Sequence, residues 1–189
     1  MKERPILFTP EHAQKVLVGT KTQTRRIVKR NASGRVQAVG SPKNWHLDDP
    51  DAVLACPYGA VGDRLWIKEA WAWPGEELFM HKGCPADAET VEKWKQDKNA
   101  PPVKWKPSLY MPRWACRTVV ELTEVRVERV WEISERDAIA EGVQPCGHTS
   151  FHVDEHTCSF RLLWETIHGK GSWALNPWVW ALTFKKVLA

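Results

Sequence analysis

A chain of 189 residues is long enough for one domain with a substantial core, and its lack of any apolar run near the roughly 20 residues that cross a bilayer argues against membrane insertion. No apolar stretch follows the opening Met1 to Phe8, so export is not expected either and the cytoplasm is the expected location. A formal charge of +4, from 27 basic and 23 acidic side chains, is too small to demand a polyanion partner yet compatible with one, and five cysteines without paired spacing point to reduced thiols rather than a disulfide framework.

In chain order, Thr9-Pro10-Glu11 reads as an N-cap, a proline at the first helical position and an acid in the first turn. Ala13, Val16 and Leu17 then recur at helical spacing until Gly19 ends the helix, so the segment KTQTRR leaves directly from a helix C-terminus. Residues 27–57 are rich in Gly, Ser, Asn, Asp and Pro and predict a long excursion with one short strand at 35–39. A turn over 58–63 leads into a strand at 64–73 that would carry Leu65, Ile67, Glu69, Trp71 and Trp73 on one face.

Residues 76–107 have too few apolar side chains for a core of their own and read as an insertion with a short helix at 88–96. From Thr118 to Trp131 the chain reads as a long strand whose apolar phase slips between Leu122 and Val125, as a bulge would require. Ser134 with Asp137 opens a short helix that Gly142 ends, and Phe160, Leu163, Trp164 and Ile167 form the apolar stripe of another ended by Gly169. A strand over 177–187 closes the chain. The expected class is α+β: a curved sheet flanked by short helices, one domain over 1–189 with insertions at about 28–57, 75–107 and 144–158.

Three groups of residues could carry chemistry. Lys21, Arg25, Arg26, Lys29 and Arg30 form the densest basic stretch, suited to phosphate and equally to a solvated turn. Within it, a turn would let Lys21 and Thr24 face one cleft, where a desolvated lysine could take the proton of a threonine hydroxyl. Glu69, between Ile67 and Trp71, must be neutral, paired or functional if its face is buried. Finally, Cys146, His148, His152, His156 and Cys158 offer five zinc-competent side chains in thirteen residues, though no standard finger has that spacing. Most of the twelve tryptophans should serve packing, with Trp71 and Trp114 available to stack on bases and Arg26 and Arg113 to meet phosphates or base edges.

The blocks GTKTQTRR at 19–26, GDRLWIKEAW at 62–71, YMPRWACR at 110–117, WEISERDAIAEGV at 131–143 and NPWVWALTF at 176–184 together resemble the ASCH family, in particular its bacteriophage and prophage members. The resemblance implies a PUA-like mixed β-barrel with flanking short helices. Family members include a small bacterial N4-acetylcytidine amidohydrolase, proteins reported as ribonucleases, and others with inferred RNA-related roles. By resemblance to the amidohydrolase, Lys21, Thr24 and Glu69 would be catalytic, with Arg26 matching a nearby arginine. Thr24 would attack the acetyl carbonyl, Lys21 would take its proton and Glu69 would manage the leaving amine. The implied ligand is a nucleoside or RNA. No cofactor is required, zinc at the Cys/His segment being the one addition. A non-catalytic RNA- or nucleotide-binding module and a ribonuclease remain the alternatives.

Overall fold

The computed structural model describes residues 1–37, 43–75, 78–146 and 155–187. Its centre is a five-stranded mixed sheet in the order β1 (Glu3–Leu7), β5 (Arg64–Lys68), β8 (Val119–Arg129), β9 (Trp178–Val187) and β2 (Gln23–Ile27). Only β1 and β5 run parallel; the other neighbours are antiparallel. Around the sheet stand two small ribbons, β3 (Val36–Gln37) with β4 (Asn44–Trp45), and β6 (Trp71–Gly75) with β7 (Leu78–His81). Four α-helices, with short 3-10 turns between elements, complete the described fold: α1 (Pro10–Val18), α2 (Pro85–Trp94), α3 (Glu135–Ala140) and α4 (Glu155–His168).

The local signals act as the sequence implies. Thr9 Oγ1 accepts the amide of His12 at 3.3 Å, Pro10 opens α1, and Gly19 at φ 85° reverses the chain behind it. Ser134 Oγ caps α3 by accepting the Asp137 amide at 3.1 Å, and Gly142 follows at φ 79°. The phase slip in β8 is a register shift between Leu122 and Glu124 against β9.

Strand β9 lies between β8 and β2, and residues on both of its faces are buried, from Val179 through Leu182. On one side Leu182 and Phe184 join Ile6, Leu65, Ile67, Val120 and Leu122, with Phe8, Ala13 and Val16 from α1 and its approach. On the other side Val179 joins Val130, Ile133, Ala138, Phe160 and Trp164, which seats α3 and α4. Two expectations change. The barrel is not closed among the described residues: β1 and β2 remain the edges of the sheet. Between those edges stands the Arg26 side chain, whose Nη2 donates to Leu7 O at 2.6 Å, a side-chain contact where a closed barrel would need a ladder. The strand expected over 64–73 is also broken. β5 ends at Lys68, whose carbonyl accepts the Phe8 amide at 2.9 Å, and the chain restarts as β6 at Trp71, leaving Glu69 at the break. Of the strand expected at 35–39, Val36–Gln37 forms and Ala38 and Val39 lie outside the described residues.

Candidate functional site

The turn that sequence spacing required after α1 exists, and four backbone hydrogen bonds hold it. The amides of Thr20 and Lys21 both donate to Lys15 O, at 3.0 and 3.1 Å, which wraps the chain around the helix end. Thr22 then donates to Ala140 O at 2.8 Å and accepts from Phe184 at 2.9 Å, so Lys21 is fixed between α1, α3 and β9. Its side chain is buried, 2 % exposed for the residue. The ammonium donates to Glu141 O at 2.8 Å and to the Glu141 carboxylate. Gly142 makes this approach feasible, because a Cβ there would stand 3.1 Å from Lys21 Cβ. Burial pushes the Lys21 pKa down and the Glu141 carboxylate opposes it, while Arg26 and Lys15 reinforce the depression.

Beyond the turn, β2 distributes its polar side chains among different partners. Arg25 is buried, with Nη2 on Glu128 at 2.6 Å and Asp137 at 3.1 Å, Nη1 on Gln23 Oε1 at 2.5 Å, and a longer 3.4 Å contact to Glu141. It is spent on structure and is not free to meet a ligand. Arg126 adds a 3.1 Å bond to Asp137. Burial acts to raise the Asp137 pKa, but hydrogen bonds from Gln23 and Arg126 and the charge of Arg25 hold it at about 2. Lys21, Arg25 and Arg126 are thereby set against Glu141, Glu128 and Asp137. Arg26 is different. Among the described residues it has no carboxylate partner; it bonds Leu7 O and lies over the Phe8 ring at 4.9 Å, and burial depresses its pKa.

Lys21, Thr24, Arg25, Arg26, Glu141 and His12 line a small, partly open cavity of about 30 Å³, walled by Phe160, Leu163, Trp164, Ile167 and His168 of α4. That is room for about two waters. The Thr24 hydroxyl, on a residue 3 % exposed, has no hydrogen-bond partner among the described residues. His12 is kept neutral, its pKa lowered to about 4 by burial and by the charges of Lys21 and Lys15. His168 is lowered too, by burial and then Arg26. Beside the cavity runs a groove of about 420 Å³, lined by Leu7, Phe8, Thr9, Pro10, Ala70, Pro107 and Ser108, and by the His12, Arg26 and Ile167 it shares with the cavity. Its size falls within the range of small-molecule sites.

Glu69 does not join this group. Its carboxylate, on a residue 1 % exposed, takes both Arg117 Nε and Nη2 at 2.8 Å and is absent from the cavity lining. Trp71 is buried and stacked on Phe79 at 5.2 Å, so its ring is covered rather than open to a base. Trp114 is exposed, and Arg113, also exposed, pairs with Glu3. Of the Cys/His segment, His148 and His152 lie outside the described residues, and His156 Nδ1 is engaged by Glu135 at 2.5 Å. Cys146 and Cys158 are free thiols, and among the described residues no three His, Cys, Asp or Glu side chains converge as a metal would require. No helix among the described residues is long and apolar enough to cross a membrane. The participants that sequence reasoning missed are Glu141, His12, His168 and Arg117. Glu141 precedes the Gly142 that ends a capped helix, a helix-end signal that says nothing about a lysine 120 positions earlier.

The class these features define is an α+β protein in which a mixed sheet with unjoined edges holds a buried lysine, threonine and glutamate in one small cavity. No family model matches the chain, and no curated protein gives a significant match. Among solved structures the chain is similar to an ASCH domain from Lactobacillus crispatus JV V101, at 10 % identity and a TM-score of 0.45, covering 100 % of this chain and 81 % of that one. It is also similar to protein EF3133 from Enterococcus faecalis V583, described as DUF984, at 12 % identity and a TM-score of 0.41 with the same coverage. Likeness of that degree assigns neither an activity nor a ligand.

Proposed function

We propose that this protein is an ASCH-type amidohydrolase acting on a small acyl group carried by a nucleoside, with N4-acetylcytidine as the type of substrate. The observation that carries the proposal is a buried Lys21 ammonium on Glu141, lining the same small cavity as the unpartnered Thr24 hydroxyl. A cavity of about 30 Å³ suits an acyl group and excludes a base, whereas the adjoining groove of about 420 Å³ is large enough for the base and sugar.

In the proposed step the Lys21 ammonium first passes a proton to the Glu141 carboxylate it contacts, and the freed amine accepts the Thr24 proton while the hydroxyl oxygen attacks the acyl carbonyl. The amide C–N bond then breaks, the amine leaves with the proton returned by Lys21, and water hydrolyses the acyl-threonine. Glu141, rather than the Glu69 that resemblance offers, is the carboxylate positioned to compensate Lys21 when it is protonated. Arg26 faces both cavity and groove and has no carboxylate partner among the described residues, which suits an anionic or carbonyl oxygen of the ligand.

A second reading, a non-catalytic nucleoside- or RNA-binding module, is favoured by one feature: Lys21 donates to two oxygens of Glu141, as a purely structural cation does. Incubation with N4-acetylcytidine separates the two. The hydrolase releases cytidine and acetate, and Thr24→Val abolishes release while the fold, followed by circular dichroism, is retained. Absence of product from wild-type protein at high enzyme concentration rejects the amidohydrolase for this substrate. Action in a bacterial host cytoplasm belongs to the same proposal.

A further inference from the structure

Beside segment 106–110, whose Lys106 pairs with Trp71, an aromatic array reaches the surface. Trp73 and Trp114 are 50 % and 63 % exposed and meet edge to face at 5.4 Å. Trp114 stands at the same distance from Phe79, which stacks on Trp71 at 5.2 Å, and the Lys106 ammonium lies 4.7 Å over the Trp71 ring. Alongside, Lys68 and Arg113 sit over Trp66 at 5.2 and 5.9 Å, and Tyr110 is 68 % exposed. Two exposed indoles side by side are costly for a protein that keeps them in water. The same segment contributes Pro107 and Ser108 to the wall of the groove, so the array and the groove are contiguous.

Two exposed indoles bordered by cations, which themselves lie over the covered Trp71 and half-buried Trp66 rings, match one class of partner: a flexible polyanion with stackable bases. We propose that Trp73 and Trp114, with Lys68, Lys106 and Arg113, form a platform on which a single-stranded nucleic acid lies, directing one of its bases into the groove. The inference rests on the groove being the ligand site; it adds that the ligand is a residue within a strand. Arg113 already pairs with Glu3, so a protein surface seated here would have to neutralise Lys68 and Lys106, whereas phosphates do so as a matter of course.

The test is fluorescence anisotropy with a labelled U12 oligomer. Wild-type protein should bind, and Trp73→Ala/Trp114→Ala should weaken binding about tenfold or more, both side chains being surface groups whose loss leaves the core intact. Lys68→Ala/Lys106→Ala should flatten the dependence of affinity on salt, by about 0.7 in log–log slope for each phosphate contact removed. Failure of wild-type protein to bind U12, unchanged affinity in the double tryptophan variant, or loss of a self-association in that variant without loss of U12 binding would each overturn the platform. Conversion of free N4-acetylcytidine is followed in parallel. Its absence with U12 binding intact removes the hydrolase and leaves the platform, and its persistence with unchanged U12 affinity in the tryptophan variant removes the platform and leaves the hydrolase.

Discussion

Replacing Glu141 by Gln converts a compensated buried pair into a lone buried ammonium, and the cost follows from the surroundings. The Lys21 and Glu141 side chains are 1 % and 4 % exposed, so bulk water solvates neither. After the change Lys21 retains the 2.8 Å carbonyl of residue 141 but loses its counter-charge, and Arg25 keeps Glu128 and Asp137. Breaking a buried pair in this way costs about 3–5 kcal/mol. For a chain of 189 residues that is a fall in melting temperature of about 6–20 °C, at about 2–4 °C per kcal/mol. Lys21→Met with Glu141→Leu removes both charges and should recover much of the loss, giving a large coupling energy in a double-mutant cycle. Urea titration followed by tryptophan fluorescence measures wild type, Glu141→Gln, the singles Lys21→Met and Glu141→Leu, and their double variant. A single-variant cost below about 1 kcal/mol, the range of exposed pairs, or a double variant equal to the sum of the singles, would refute the buried-pair reasoning.

The pH dependence has a definite sign. His12 titrates near 4 when folded against an ordinary 6.5, so between those values the unfolded chain holds the proton and the folded chain does not. Stability should therefore fall as pH drops from about 6.5 toward 4, by about 2–3 kcal/mol in all, and His12→Gln should remove that limb from a plot of unfolding free energy against pH. Arg117→Met should cost about 3–5 kcal/mol by stranding the buried Glu69, and adding Glu69→Gln should restore part of it in the same urea assay; an unchanged midpoint in Arg117→Met would show that Glu69 is held by something else. Gly83→Ala places a Cβ 2.2 Å from Pro10 O, so the strand-to-helix connection must shift, and its melting temperature should drop by several degrees while Gly34→Ala, with open space but φ 75°, drops less.

The elements near in sequence were legible from sequence because their signals are local. The Thr9 cap, the Gly19 reversal, the bulge after Leu122 and the Ser134 cap each depend on residues within a few positions, and each is present. The turn that brings Lys21 and Thr24 to one cavity was legible for the same reason. Tertiary structure alone decided the carboxylates. Alternation along residues 65–73 cannot reveal that the strand breaks after Lys68, nor that Arg117 holds Glu69 from 48 positions away. Arg25 and Arg26 are adjacent and chemically identical, yet opposite sides of one strand send Arg25 into a carboxylate cage and Arg26 toward an open groove. Glu141 reaches Lys21 because α3 packs against the turn after α1, a contact set by which faces bury together rather than by spacing along the chain.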